Sequence, residues 1–225
     1  SPCSLTIILV LLTAATLRLV ALPDFPAGLN ADEAAIGYNA YSLIQTGQDE
    51  HGNSWPLSFR SFDDYKPPLY FYITLPFVKV LGLNTLAVRL PSALMGIATI
   101  YLLYLLVNQL FKEKKITVFG CDLSLGLLSA LLLSVSPWHL HFSRGGWEVN
   151  ASTFFLTLGV FLAYKAINKK SILYIPAALS VVASLYTYHS MRVIVPLLGL
   201  SMLIIYWRKI KQSFQSHRKI FIFSI

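Results

Sequence analysis

Charge is what this chain has least of: Asp, Glu, Lys and Arg make up 12% of its 225 residues, against 56% hydrophobic residues and a mean hydropathy of +0.62. A soluble domain carries about a quarter charged residues. That class is excluded, and the chain reads as an integral membrane protein. Cysteine is scarce as well. Cys3 and Cys121 both fall at the ends of apolar segments, which leaves no disulfide framework and no Cys/His zinc pattern. A glycine-rich phosphate loop and a His-Glu-x-x-His signature are also missing, so neither P-loop nor zincin chemistry is indicated. The net charge of +8 does not point to nucleic acid, because the basic residues sit in short clusters between apolar runs and form no patch interleaved with aromatics.

What is present is apolar length. Residues 5–22, 90–111, 123–140 and 151–167 approach the roughly 17–25 residues a spanning helix needs, and 172–188 and 193–207 are shorter candidates. The first has no small-residue cleavage site and reads as a retained anchor. The tail starts another apolar run at 220, and the chain opens at Ser1 without Met. The expectation is the N-terminal part of a longer transmembrane domain, an all-α multispanning helical bundle with amphipathic helices in the first exterior loop, residues 23–89.

Lys and Arg near helix ends are retained on the cytoplasmic side. With the first helix running outward, the inner loops hold Lys112, Lys114 and Lys115, then Lys165, Lys169 and Lys170, then Arg208, Lys209, Lys211, Arg218 and Lys219. Of the acidic residues only Glu113 and Asp122 fall on that side. The outer face collects Asp32, Glu33, Asp63, Asp64, Lys66, His141, Arg144, Glu148, His189 and Arg192. This map requires the apolar stretch 67–83, with Pro67, Pro68, Pro76 and Lys79, to lie in the interface or re-enter from outside. Were it an ordinary short span, every later loop would be inverted.

Asn30-Ala31-Asp32-Glu33 fits a capping box, and Gly47 suits the far end of the same helix. Ile36, Ala40, Leu43 and Ile44 share a face, which suggests a helix resting on the membrane surface. The polar stretch 48–61 reads as a loop. Asp32 and Glu33 stand where carboxylates are favoured by a helix N-terminus, yet a capping box needs only one acid. In Asp63-Asp64-Tyr65-Lys66-Pro67-Pro68 the prolines fix the chain direction and hold an ammonium suited to a phosphate; a snorkelling interfacial lysine is the plainer reading. Arg144 and Glu148 could pair at helical spacing, but an interfacial Arg is costly unless paired or used. His139, His141, Tyr188, His189 and Arg192 recur at the same level.

Those residues carry a resemblance. Asp32-Glu33, Lys66-Pro67-Pro68, Arg89-Leu90-Pro91-Ser92, Ser136-Pro137-Trp138-His139 with Phe142-Ser143-Arg144 and Glu148, and Tyr188 with Arg192 and Pro196 together resemble the multispanning GT-C glycosyltransferases. Within them the chain is most similar to the family 39 branch of dolichyl-phosphate-mannose-protein mannosyltransferases and aminoarabinose lipid A transferases. The resemblance implies transfer of one sugar from a polyprenyl-phosphate donor to a protein, lipid or glycan acceptor, with inversion, on the extracytoplasmic face of the plasma membrane. It makes Asp32 the leading catalytic carboxylate with Glu33 beside it. It assigns Lys66, with Arg144 or Arg192, to the departing phosphate, and Asp64, His141, Glu148 and His189 to the same substrate-binding group. Tyr65 stands where that family commonly has an acid before Lys-Pro-Pro, so a metal role there is in doubt; a divalent cation through Asp32, Asp64 or Glu148 stays open. Two rival classes are a lipid or sugar transporter or flippase, which should show mid-span ionisable residues or paired broken helices, and a membrane scaffold, which has no reason to gather these groups at one depth.

Overall fold

The computed structural model describes residues 2–61, 64–112, 114–118, 121–168 and 171–216. Asp63, Glu113, Lys169, Lys170, Arg218, Lys219, the tail from 220 and the side chains of Cys3 and Cys121 lie outside the described residues. The architecture is helical: α1 (Pro2–Leu19), α2 (Ala31–Thr46), α3 (Leu69–Leu81), α4 (Thr85–Leu110), α5 (Leu125–Val135), α6 (Pro137–Arg144), α7 (Glu148–Asn168), α8 (Tyr174–Leu185) and α9 (Met191–Ser216). Two short antiparallel hairpins interrupt it. β1 (Phe59–Ser61) pairs with β2 (Asp64–Lys66), and β3 (Lys115–Val118) pairs with β4 (Cys121–Ser124).

The protein is an all-α membrane protein. Among the described residues α4, α7 and α9, over Met191–Lys211, are long and apolar enough to cross a bilayer, and α5 with α6 makes a fourth if that bent pair is one span. Helix α4 is the hub, packed against α1, α3, α5, α6 and α7, while α8 returns along α7.

Several segments differ from the sequence expectation for local physical reasons. The segment 123–140 is not one straight helix, because it bends by 61° between α5 and α6. Pro137 has no N–H to offer the carbonyl four residues back. The freed carbonyls of Leu133 and Ser134 accept instead from the buried Arg18 guanidinium of α1, at 3.4 and 3.0 Å. The first helix stops at Leu19 rather than 22, and Ala21 turns the chain with a φ of 49°. Helix α8 is shorter than 172–188, with a single 3₁₀ turn over Ser171–Leu173 before it. The stretch 67–83 forms α3, whose 13 residues rise only about 20 Å at 1.5 Å per residue, short of the roughly 30 Å hydrocarbon core.

The stripe on α2 meets protein where the expectation was a membrane surface. Ile36 and Leu43 pack with Phe59, Tyr70, Phe71, Val88 and Ala151, and Ala40 packs with Val78 of α3 and Ala87 of α4. Apolar faces on α3 and α4 bury it as completely as lipid would. The stretch 48–61 is a loop closed by Asp49, which accepts from the amides of His51 and Asn53, before it enters β1.

Candidate functional site

The site begins with the start of α2. The Asn30 side chain accepts from the Glu33 amide at 2.8 Å, the Glu33 carboxylate accepts from the Asn30 amide at 3.0 Å, and Gly47 closes the helix in a left-handed conformation. Two orphan donors are thereby satisfied, and the direction of the first turn is fixed. Asp32 and Glu33 leave that turn on different sides.

Glu33 is 2% exposed and joined to the fully buried Arg89 of α4. Arg89 donates to it through Nε at 2.7 Å and Nη2 at 3.1 Å, the two-pronged geometry that makes Arg–carboxylate pairs strong. The Gly146 amide adds a third donor at 2.9 Å. The remaining Arg89 protons reach the carbonyls of Leu22, Pro23, Pro26 and Gly28. One guanidinium therefore pins the exit of the first helix, the start of α2 and α4 together. Burial opposes the Glu33 charge, but the hydrogen bonds from Arg89, Gly146 and Asn30 outweigh it and hold this carboxyl below its ordinary range. Glu33 does not line the cavity described next.

Asp32 does. A cavity of about 300 Å³ is lined by Asp32, Asp64, Lys66, Glu148, Trp147 and His189, with Phe142, Tyr188 and neighbouring residues completing the wall. Lys66 bridges two carboxylates inside it: its Nζ lies 2.6 Å from Asp32 and 3.5 Å from Glu148. The Lys66 and Glu148 side chains are 12% and 7% exposed, whereas Asp32 is 34% exposed and is the partner open to solvent. Burial works against the ammonium, and the two carboxylates more than restore it, leaving Lys66 raised above its usual value. His189 donates from Nε2 to the Tyr65 carbonyl at 2.8 Å, tying the loop before α9 to β2. The amide of Leu69 donates to Tyr186 at 3.0 Å and anchors the start of α3 on the same region.

Arg144, His141 and Arg192, also expected at the site, sit elsewhere. Arg144 spends its guanidinium on the carbonyls of Leu17, Val20, Ala21 and Phe25, capping the end of α1, and Glu148 pairs with Lys66 instead of with it. His141 packs edge-on against Phe142 and near the Trp147 ring, exposed and outside the cavity lining. Arg192 lines an adjoining groove of about 460 Å³ with Leu57, Tyr65, Pro67, Pro68 and Tyr186. Asp64 lines the cavity and accepts from the Tyr65 amide at 2.8 Å. Among the described residues no group of three or more His, Cys, Asp or Glu converges as metal ligands. The Lys66 ammonium stands between Asp32 and Glu148, where a divalent cation would have to sit, so this donor set does not fit one.

Arg89 and Arg18 are the structural cations that sequence reasoning left without a role. Arg89 had a signal, a charge opening a long apolar run. Arg18, buried in α1 against His139 at 2.8 Å, had a different one, a charge inside the last turn of an apolar run.

Comparison with known proteins follows the same lines. The chain is 32% identical over 105 residues to an Aquifex aeolicus (strain VF5) protein described as uncharacterized, covering 47% of this chain and 19% of that protein. It is 26% identical over 117 residues to the Bacillus subtilis (strain 168) protein named "Putative mannosyltransferase YkcB", covering 52% of this chain and 15% of that one. The alignments thus span less than a fifth of each relative's length. No solved structure matches the chain. Residues 65–224, most of the sequence and the part holding Lys66, Arg89 and Glu148, match the family model described as dolichyl-phosphate-mannose-protein mannosyltransferase, and the chain belongs to that family.

Proposed function

We propose that this chain is the catalytic, donor-binding part of a membrane glycosyltransferase. It moves one sugar from a polyprenyl-phosphate donor to a hydroxyl of a protein, lipid or glycan acceptor on the extracytoplasmic face of the plasma membrane. The observation that carries the reading is the Asp32–Lys66–Glu148 bridge in a cavity at the interfacial end of the spans, within a chain of this family.

The chemistry assigns each group one task. The acceptor oxygen forms a bond to the anomeric carbon while the bond from that carbon to the phosphate oxygen breaks on the opposite face, which inverts the centre. The acceptor proton passes to the Asp32 carboxylate, and the electron pair leaves with the phosphate. Lys66 offsets the charge gathering on that phosphate, the kind of electrostatic help that is often the largest single contribution. In the resting cavity Lys66 is held by Asp32. Entry of a donor phosphate gives the ammonium a third anion beside Asp32 and Glu148, and Asp32 is released to act as base. Glu148, buried and fixed on the same Nζ, keeps Lys66 in place during the exchange. The groove beside Arg192, with its proline and tyrosine walls, suits the first isoprene units.

The test uses the full-length protein in membranes, supplied with a polyprenyl-phosphate sugar whose identity is first set by mass spectrometry of the copurifying lipid. Asp32→Asn should lower transfer by about 10²–10⁴, the usual worth of a general base, with normal insertion and donor binding retained or tightened, since Lys66 loses the carboxylate that competes with the phosphate. Full activity in Asp32→Asn, or movement of the lipid without transfer by the native protein, would refute the assignment.

A further inference from the structure

At the end of the bundle away from the Asp32 cavity, a second and larger concavity of about 550 Å³ opens between α4, α7 and α9. Its lining includes Asn108, Gln109, Lys112, Lys165, Asn168 and Lys209, with Tyr104 and Tyr164, and among the described residues it includes no acid. Helix α7 runs from Glu148 at one site to Asn168 at the other, about 30 Å at 1.5 Å per residue, which matches the hydrocarbon thickness. The two concavities therefore face opposite leaflets.

The groove is rich in donors and poor in acceptors. Asn108 uses its side-chain oxygen on the Gly126 amide, at 3.2 Å. The side-chain oxygen of Asn168 accepts from Lys209 Nζ at 3.0 Å, and the Tyr164 hydroxyl donates to the Gln109 carbonyl at 3.2 Å. Two of the groove's side-chain acceptors are thus occupied, and the acceptor that Lys209 meets is a neutral amide oxygen. Among the described residues none of the three lysines meets a carboxylate. Simple compensation of the negative ends of α4 and α7 would lay these lysines on the terminal carbonyls. Lys165 instead stands over the Phe161 ring at 4.6 Å, and Lys209 lies on the Asn168 side chain. Lys112 takes a left-handed backbone, φ 50°, just past the end of α4, a conformation L-residues adopt only at a cost.

We infer that this groove is a binding site for the phosphate head group of an anionic phospholipid in the leaflet opposite the Asp32 cavity. Basic pockets between spanning helices at this depth suit such head groups, each lysine near the surface strengthening the attraction. The tyrosines supply an amphipathic wall at the level where acyl chains meet the head group.

The test places the full-length protein in nanodiscs of equal parts phosphatidylglycerol and phosphatidylcholine and counts retained lipid by native mass spectrometry. The wild type should keep phosphatidylglycerol selectively, and millimolar inorganic phosphate should not displace it. Lys112→Gln, Lys165→Gln and Lys209→Gln should each weaken retention about fivefold, and the triple variant on the order of a hundredfold, while the triple Lys→Arg variant retains it. If the triple Gln variant does not insert, the single exposed-site change Lys209→Gln still reads the fivefold step. Equal retention of both lipids, no loss in Lys209→Gln, or displacement by free phosphate would overturn the inference.

Discussion

Asp32 and Glu33 are chemically near-identical neighbours in one helical turn, and the fold uses them in opposite ways. Glu33 is 2% exposed, with Arg89, Gly146 and Asn30 all donating to it; every lone pair that matters is spoken for, and it behaves as a structural bolt. Asp32 is 34% exposed and holds a single partner, Lys66, at the wall of a cavity. On the proposed function, the difference teaches that reactivity comes from incompleteness. A carboxylate with one exchangeable partner can accept a proton, whereas one inside a completed network would have to dismantle it first.

The sharpest way to break this comparison is to neutralise each acid separately. Asp32→Asn should cost transfer about 10²–10⁴ with little effect on thermal unfolding in detergent, while Glu33→Gln should do the reverse, lowering the unfolding temperature and sparing the turnover of the molecules that remain folded. Equal effects of the two on activity would erase the distinction. Next in size is Arg89→Met. It leaves the Glu33 charge buried without its partner and should destabilise by about 3–5 kcal/mol, read as lost folded yield; combining it with Glu33→Gln should recover part of that loss. Lys66→Met removes the bridge to Glu148, whose side chain is 7% exposed. About 1.5–3 kcal/mol of charge-assisted hydrogen bonding is at stake, and weaker donor binding should accompany it in a titration.

The smallest effects are in pH. Glu33 is held below its ordinary 4.5, so its contribution to stability is complete above that value and disappears as acidification passes through the depressed one. Lys66 is raised above 10.5, so its contribution is complete below that value and fades as alkali passes through the raised one. Unfolding curves of Glu33→Gln should lack the acid limb, and those of Lys66→Met the alkaline limb.

What sequence revealed follows the range of the interaction involved. The capping box at Asn30 and the closing Gly47 were readable because their partners lie within one turn. The brevity of α3 was readable from Pro67 and Pro68 before it and from Pro76 and Lys79 within it. The ion pairs were not: Glu33 and Arg89 are 56 positions apart, and Lys66 and Glu148 are 82. No local pattern says which distant cation completes which carboxylate, so Arg144 looked like a phosphate ligand when its five donor contacts belong to backbone carbonyls. The bend at Ser136 had its signal in Pro137, outweighed by an unbroken apolar run. The β hairpins, of three and four residues per strand, are too short to show a period.

That same Arg144 grip ties α6 to the C-terminal end of α1. Phe142 rides on α6 and forms part of the cavity wall, so on the proposed reading a change in the inclination of α1 would reach the cavity through α6. Thicker or thinner bilayers alter helix inclination at little cost. Turnover in vesicles of graded acyl length should therefore peak at one thickness, and Arg144→Gln, which uncouples the two helices, should flatten that dependence.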